Sequence, residues 1–333
     1  MQRRSSFLLC ALLAASSVAA CGEQPEETEA ANDAIRSAPE IEARAVDGYT
    51  ELGGRVVDLA LIPNDQPFLG RGIAALEGGG FSVIDFAQGE TQRIDGPRVG
   101  FLAAAPDFQL RGAAAPLVVA AGGALATPQA WVFLAVDGAL VEMPIDPIAP
   151  EGVFRAMCAE RATEALIDLV VFTDASIERW RVSDRGGDRL AAERMETSPT
   201  NQAIVACADV NGEIVGVAQS GTTRPLDGAR WGFSDGSDVA PIQASDGWWA
   251  IVARPEEPGA SLVGPLRQEV AVVFSEGINT PSIPAPTQLV ASSANFGGSF
   301  SSGVLAIAQD DRVSAVELGG LMTAAKEALT SGS

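Results

Sequence analysis

AIVACADVNGEIVGVAQ, residues 203–219, is two short apolar runs joined by Asn211-Gly212. Asn-Gly between two such runs is a strong local signal for a tight β-hairpin, because both residues tolerate the left-handed backbone of a two-residue turn. The same texture extends in both directions. RVVDLALI (55–62), GFSVIDF (80–86), PLVVAAGG (116–123), AWVFLAVDG (130–138), LIDLVVF (166–172) and SIERWRV (176–182) precede it. WWAIVA (248–253), EVAVVF (269–274), VLAIAQ (304–309) and RVSAVEL (312–318) follow. Each run is rich in Val, Ile and aromatics and is bounded by Gly, Asp, Asn or Pro, which predicts strands. Alternation is imperfect: in SIERWRV, Glu178 shares a face with Trp180 and Val182. The one helical pattern is terminal, Leu321–Leu329.

A dozen or more strands need an architecture that manages sheet edges: a sandwich, a barrel or a propeller. Residues 46–320 divided by six give about 46 residues per unit, the length of a four-stranded propeller blade. Two β-sandwiches satisfy the same arithmetic.

Composition excludes more than it selects. The 333-residue chain has 43 acids against 22 bases, a formal charge of −21, and no histidine. A basic nucleic-acid footprint is absent, and so is any His-dependent triad, His general base or His-ligated zinc. The sole lysine, Lys326, lies near the C-terminus. Gly232-Phe233-Ser234-Asp235-Gly236 fits G-x-S-x-G in letters, but no helix pattern follows it and no histidine exists to serve it, so it is read as a turn. Gly78-Gly79-Gly80 lacks the Gly-Lys-Ser/Thr of a phosphate loop. Trp131, Trp180, Trp248 and Trp249 are expected in the core.

The N-terminus carries an address. Arg3-Arg4 precede a mostly apolar run, Phe7–Ala20, too short to span a bilayer, and the run ends in Val18-Ala19-Ala20-Cys21. This resembles a bacterial lipobox, which implies a signal peptide over 1–20 and lipidation at Cys21. The expectation is a lipid-anchored protein of the bacterial outer membrane, periplasmic or surface-facing, that is monomeric and does not bind nucleic acid. Residues 22–45 hold seven acids, two arginines and two prolines. They complete, with Cys21, an expected acidic tether over 21–45.

Several stretches, in order, resemble the β-propeller phytases, which hydrolyse phytate with calcium. GRGIAALEGGGFSVIDFAQGETQRIDG (70–96), Asp107-Phe108, MCAERATEALIDLVVFTDASIERWRV (157–182), AIVACADVNGEIVGVA (203–218) and FSSGVLAIAQDDRVSAVELGGLM (300–322) carry the likeness. The resemblance implies an all-β, six-bladed propeller over 46–320, followed by a short helix and tail over 321–333. It implies weak calcium ligands at Asp58, Asp174, Asp209, Asp238 and Asp310. It also implies a disulfide between Cys158 and Cys207, the alternative being two buried thiols. The departures concern chemistry. Phosphate needs cations, yet the family's "TDKK" lysine falls at Glu77-Gly78, and the "NVDxRYDF" segment has become Phe101–Phe108, with Ala105 where an arginine is expected. The matched glutamates are lost, one of them at Val205. The expected function is therefore a non-catalytic scaffold that binds a small anionic ligand through calcium, or an unknown protein partner, with no catalytic residue assigned. The alternative is a calcium-dependent phosphomonoester hydrolase that draws on Arg71, Arg98, Arg111, Arg179 and Arg181. A structural or assembly lipoprotein on a different all-β fold is the third reading.

Overall fold

The computed structural model describes residues 38–44, 46–125, 127–134, 137–200, 203–218, 236–254, 259–277 and 280–331. The signal peptide, Cys21, most of the tether and most of the Gly232–Gly236 turn lie outside the described residues.

The described chain opens with β1 (Glu40–Arg44) and β2 (Val46–Glu51). The first blade follows: β3 (Val56–Ile62), β4 (Arg71–Leu76), β5 (Phe81–Asp85) and β6 (Gly89–Ile94). The second blade is β7 (Phe101–Ala105), then β10 (Leu117–Ala121), β11 (Gln129–Leu134) and β12 (Ala139–Met143), with a side hairpin of β8 (Gln109–Leu110) and β9 (Ala113–Ala114). The third is β13 (Phe154–Ala162), β14 (Leu166–Thr173), β15 (Ser176–Ser183) and β16 (Ala191–Pro199). The hairpin β17 (Ile204–Val210) and β18 (Glu213–Ala218) comes next. The fourth blade is β19 (Val239–Ala244), β20 (Gly247–Ala253), β21 (Ala260–Val263) and β22 (Glu269–Ser275). The fifth is β23 (Gln288–Ser292), β24 (Val304–Gln309) and β25 (Arg312–Glu317), completed by β2. Helix α1 (Leu318–Ser331) ends the chain.

The innermost strands touch in a ring: β3 with β7, β7 with β13, β13 with β17, β17 with β19, β19 with β23, and β23 with β3. This is an all-β propeller with one C-terminal helix. The expectation of six full blades is corrected to five complete blades. Among the described residues, the remaining ring position holds the two-stranded hairpin β17–β18.

Each pair of ring neighbours shares its own hydrophobic core. Ile62, Val118 and Trp131 join the first and second blades. Leu117, Leu169 and Trp180 join the second and third. Phe172, Ile204 and Ile214 join the third to the hairpin, and Val215, Val217 and Val252 join the hairpin to the fourth. Trp249, Leu305 and Leu321 join the fourth, the fifth and α1. Leu76, Phe86 and Phe300 close the ring back to the first. A middle strand therefore meets apolar neighbours on both faces, and β5 and β10 are buried at every position. That explains the imperfect alternation of the sequence. The alternation returns in β15, where Ser176, Glu178, Trp180 and Val182 point inward. Glu178 is tolerated there because its carboxylate accepts bonds from Trp180 Nε1 (2.9 Å), Ser176 Oγ (3.1 Å) and the Glu151 amide (2.8 Å).

Two boundaries move. The expected tether, 21–45, gives up Glu40–Arg44 to β1, which runs parallel to β22 with Ile41 and Ala43 buried and the charged residues outward. Ala45 alone separates β1 from β2, so consecutive strands strap two adjacent blades. The helix begins at Leu318 rather than Leu321, since the Glu317 carboxylate accepts the free amides of Gly319 and Gly320.

Candidate functional site

Where the inner strands converge, little room remains for large side chains. β7 reads FLAAA, and β13 and β17 contain AMCA and VACA. These small residues leave a central tunnel of about 360 Å³. All six innermost strands contribute to its wall, which is mostly Ala, Val and Leu with Ser237, Gln288 and Ser292. Among the described residues, its charged lining is Asp58, Asp209 and Asp238, with no arginine or lysine.

Asp58 and Asp238 make matching bonds. Asp58 Oδ1 accepts the Leu59 amide (2.7 Å) and Oδ2 accepts the Leu102 amide on β7 (2.6 Å). Asp238 Oδ1 accepts the Val239 amide (2.8 Å) and Oδ2 accepts the Leu289 amide on β23 (2.7 Å). Each carboxyl thus pins its own inner strand to that of the next blade. Burial, and then the negative charge of Asp238, hold Asp58 well above the usual carboxylate range. Burial pushes Asp238 up to about 7, against the pull of its two amide donors.

Asp209 stands apart. Its Oδ1 accepts the Gly212 amide (2.6 Å) in the Asn211-Gly212 turn, the hairpin turn expected from sequence. Burial raises its pKa, and Glu160 is the acid that adds to the shift. Asp174 and Asp310 are not brought into the tunnel. Asp174 lies in the β14–β15 turn, where Oδ1 accepts the Val153 amide (2.9 Å). Asp310 lies in the β24–β25 turn with φ +56°, and its carbonyl accepts the Val56 amide (2.7 Å).

Calcium takes six to eight oxygen ligands that converge on one point. Among the described residues, no three acidic, cysteine or histidine side chains group to hold a metal. Both oxygens of Asp58 and of Asp238 are already engaged by backbone amides. The five expected ligands therefore do not fit one calcium site.

The candidate phosphate-gripping arginines are also committed elsewhere. Arg71 pairs with Asp85 at 3.1 Å, Arg98 with Glu77 at 3.6 Å, and Arg181 with Asp168 at 2.7 Å. Arg179 lies 3.0 Å from Glu160 and 3.1 Å from Glu196. Arg111 donates to the Gly187 carbonyl at 2.7 Å.

Cys158 of β13 and Cys207 of β17 form a disulfide with Cα atoms 5.7 Å apart. Both line the tunnel. Three seams of the ring thus carry a staple at the inner strands: Asp58 at β3–β7, the disulfide at β13–β17, and Asp238 at β19–β23. Trp131, Trp180 and Trp249 are buried as expected, and Trp248 is half-buried. Sequence reasoning missed Ser237, Gln288 and Ser292, and the alanine-rich wall was their one signal.

No family model matches the sequence, and no curated protein does. Among solved structures, a chain of the crystal structure of BBS1N in complex with ARL6DN, soaked with mercury, has a TM-score of 0.51 at 9% identity, covering 84% of this chain and 98% of that chain. The complex soaked with lead gives 0.49 at 8% identity over the same shares. The structure of the Dos1 propeller gives 0.39 at 13% identity, covering 78% of this chain and 67% of that chain. The first of these likenesses bears on fold alone and agrees with the ring described above: an all-β propeller.

Proposed function

We propose that this chain is a lipid-anchored propeller of the phytase-like class that has lost catalysis and binds a ligand or a protein partner, with Cys21 as the acylated residue at the outer membrane. We read the hairpin β17–β18 as the sixth position of the family's ring. The observation that carries the loss of catalysis is the tunnel wall, which among the described residues has three carboxyls and no cation. A phosphomonoester brings several negative oxygens and needs charge-assisted donors to hold them. Carboxyls facing them repel, and the arginines that could answer are paired within the blades. Calcium bridging would also need further oxygen ligands at one point, and among the described residues no three acidic side chains group to supply them.

The test is thermal unfolding of the full chain with and without millimolar calcium, with phosphate release from phytate assayed in the same tubes. The expected result is no release and no calcium-dependent shift. Phosphate release together with stabilisation by calcium would replace this reading with a calcium-dependent phosphomonoesterase.

A further inference from the structure

We propose that the Cys158–Cys207 bridge is an internal lock on the ring, open to small thiols through the tunnel and shielded from protein thiols. The ring position it serves has the least to hold it among the described residues. The hairpin β17–β18 has two strands where every other position has four or five. Its cores against both neighbours are the smallest of the six described. The bridge crosses one of these two seams at mid-strand on both sides, Cys158 being the fifth residue of β13 and Cys207 the fourth of β17.

Both cysteines line the tunnel and both pack on the same small core, but Cys207 is the more exposed of the two. Cys158 is 6% exposed and packs with Ala156, Phe172 and Ile204. Cys207 is half-buried and lies in the row Val205, Cys207 and Asp209, all of which line the tunnel. A reductant that arrives by way of the tunnel therefore meets Cys207 as the more exposed of the two cysteines. A dithiol a few atoms long fits within about 360 Å³. A dithiol on the surface of a folded protein does not.

The exchange is a two-electron step. A thiolate of the small dithiol attacks Cys207 Sγ, the Sγ–Sγ bond breaks, and Cys158 leaves as a thiolate that takes a proton. The second thiol of the reductant then attacks its own bound sulfur and departs as a cyclic disulfide. Cys207 is released as a thiol. Among the described residues, the hairpin is then held by its two small cores and its inner-strand contacts.

The experiment compares dithiothreitol with a reduced thioredoxin-type protein at equal concentration and neutral pH. The full-length oxidised chain is the substrate, and free thiols are counted by alkylation and mass. At an open disulfide the low-pKa thiol of the protein reductant outruns dithiothreitol. Here the order should reverse, with dithiothreitol at least tenfold faster, while the protein reductant still reduces an exposed disulfide control in the same tube. Equal or faster reduction by the protein reductant overturns the shielding. Hydrogen exchange on the reduced chain tests the lock. Amides of β17 and β18 should lose at least tenfold protection, while those of β10 and β24 change less than twofold. Unchanged protection at β17–β18, or uniform loss around the ring, overturns it. Both readouts use the natural sequence, so neither depends on a variant that must fold.

Discussion

Asp58 Oδ2 takes the Leu102 amide at 2.6 Å, and Asp238 Oδ2 takes the Leu289 amide at 2.7 Å, so two carboxyls on either side of the closing fifth blade make the same bond to the next inner strand. Among the described residues, the tunnel lining offers neither of them a counter-cation. The arrangement is costly when both are charged, and it is silent when they hold protons.

Stability should therefore fall as pH rises. Both carboxyls have folded pKa values above the ordinary 3.8, and Asp238 reaches about 7. Between those limits the folded state binds more protons than the unfolded one, so its advantage is full below pH 4 and is lost as pH rises through 7. Asp168, held low chiefly by Arg181 and Arg161 against its burial, acts in the opposite sense and loses its contribution as pH falls below its ordinary value. The expected optimum lies between these limbs, in mildly acidic solution. Urea unfolding should be weaker at pH 8.5 than at pH 5 by on the order of 3 kcal/mol. A flat profile over that range would count against the buried pair.

Substitution separates the bond from the charge. Asp238→Ala leaves the Val239 and Leu289 amides without their acceptor and should cost about 2–4 kcal/mol at pH 5. Asp238→Asn keeps one acceptor oxygen and removes the charge. Its loss should be smaller at pH 5, and its stability should vary less with pH than that of the natural protein. Denaturant midpoints at the two pH values decide this.

The disulfide closes a 49-residue separation. The chain-entropy account puts roughly 4 kcal/mol on such a loop as an upper figure. Replacing Cys158 and Cys207 together by serine should lower the unfolding free energy by about 2–4 kcal/mol, read from the denaturant midpoint at constant slope.

Gly80 should be far less replaceable than Gly78. A Cβ on Gly80 would lie 2.0 Å from the Ile94 carbonyl oxygen, and its φ is +76°. Gly80→Ala should cost about 2 kcal/mol or more. A Cβ on Gly78 meets nothing within 4 Å. Gly78→Ala should stay within about 0.5 kcal/mol of the natural protein. Thermal midpoints of the two variants test the contrast.

Burial of Glu178 offers a last check. Its carboxylate is fully enclosed beside Trp180, Ser176 and the Glu151 amide, with Arg194 at 3.8 Å. Glu178→Ala strands those donors and should destabilise by about 3 kcal/mol, with the Trp180 fluorescence environment changed. Glu178→Gln preserves shape and one acceptor and should cost less.

What the sequence determined by itself is local. Every apolar run from RVVDLALI to RVSAVEL is a strand, and Asn211-Gly212 is a turn, because burial on both faces demands apolar residues in short stretches. Strands that face solvent were not legible. β16 is ERMETS at its centre and exposed there, so it carries no apolar signal. EIEAR read as tether because its two buried residues are small in number beside its charges, and its partner β22 lies more than two hundred residues away. Only tertiary structure decided which aspartates meet. Asp58 on β3 and Asp238 just before β19 are far apart in sequence, and the ring brings them into one tunnel. Asp174 and Asp310, equally plausible in sequence, turn hairpins elsewhere. Closure of a ring sets such distances through long-range packing, and no local pattern of residues encodes it.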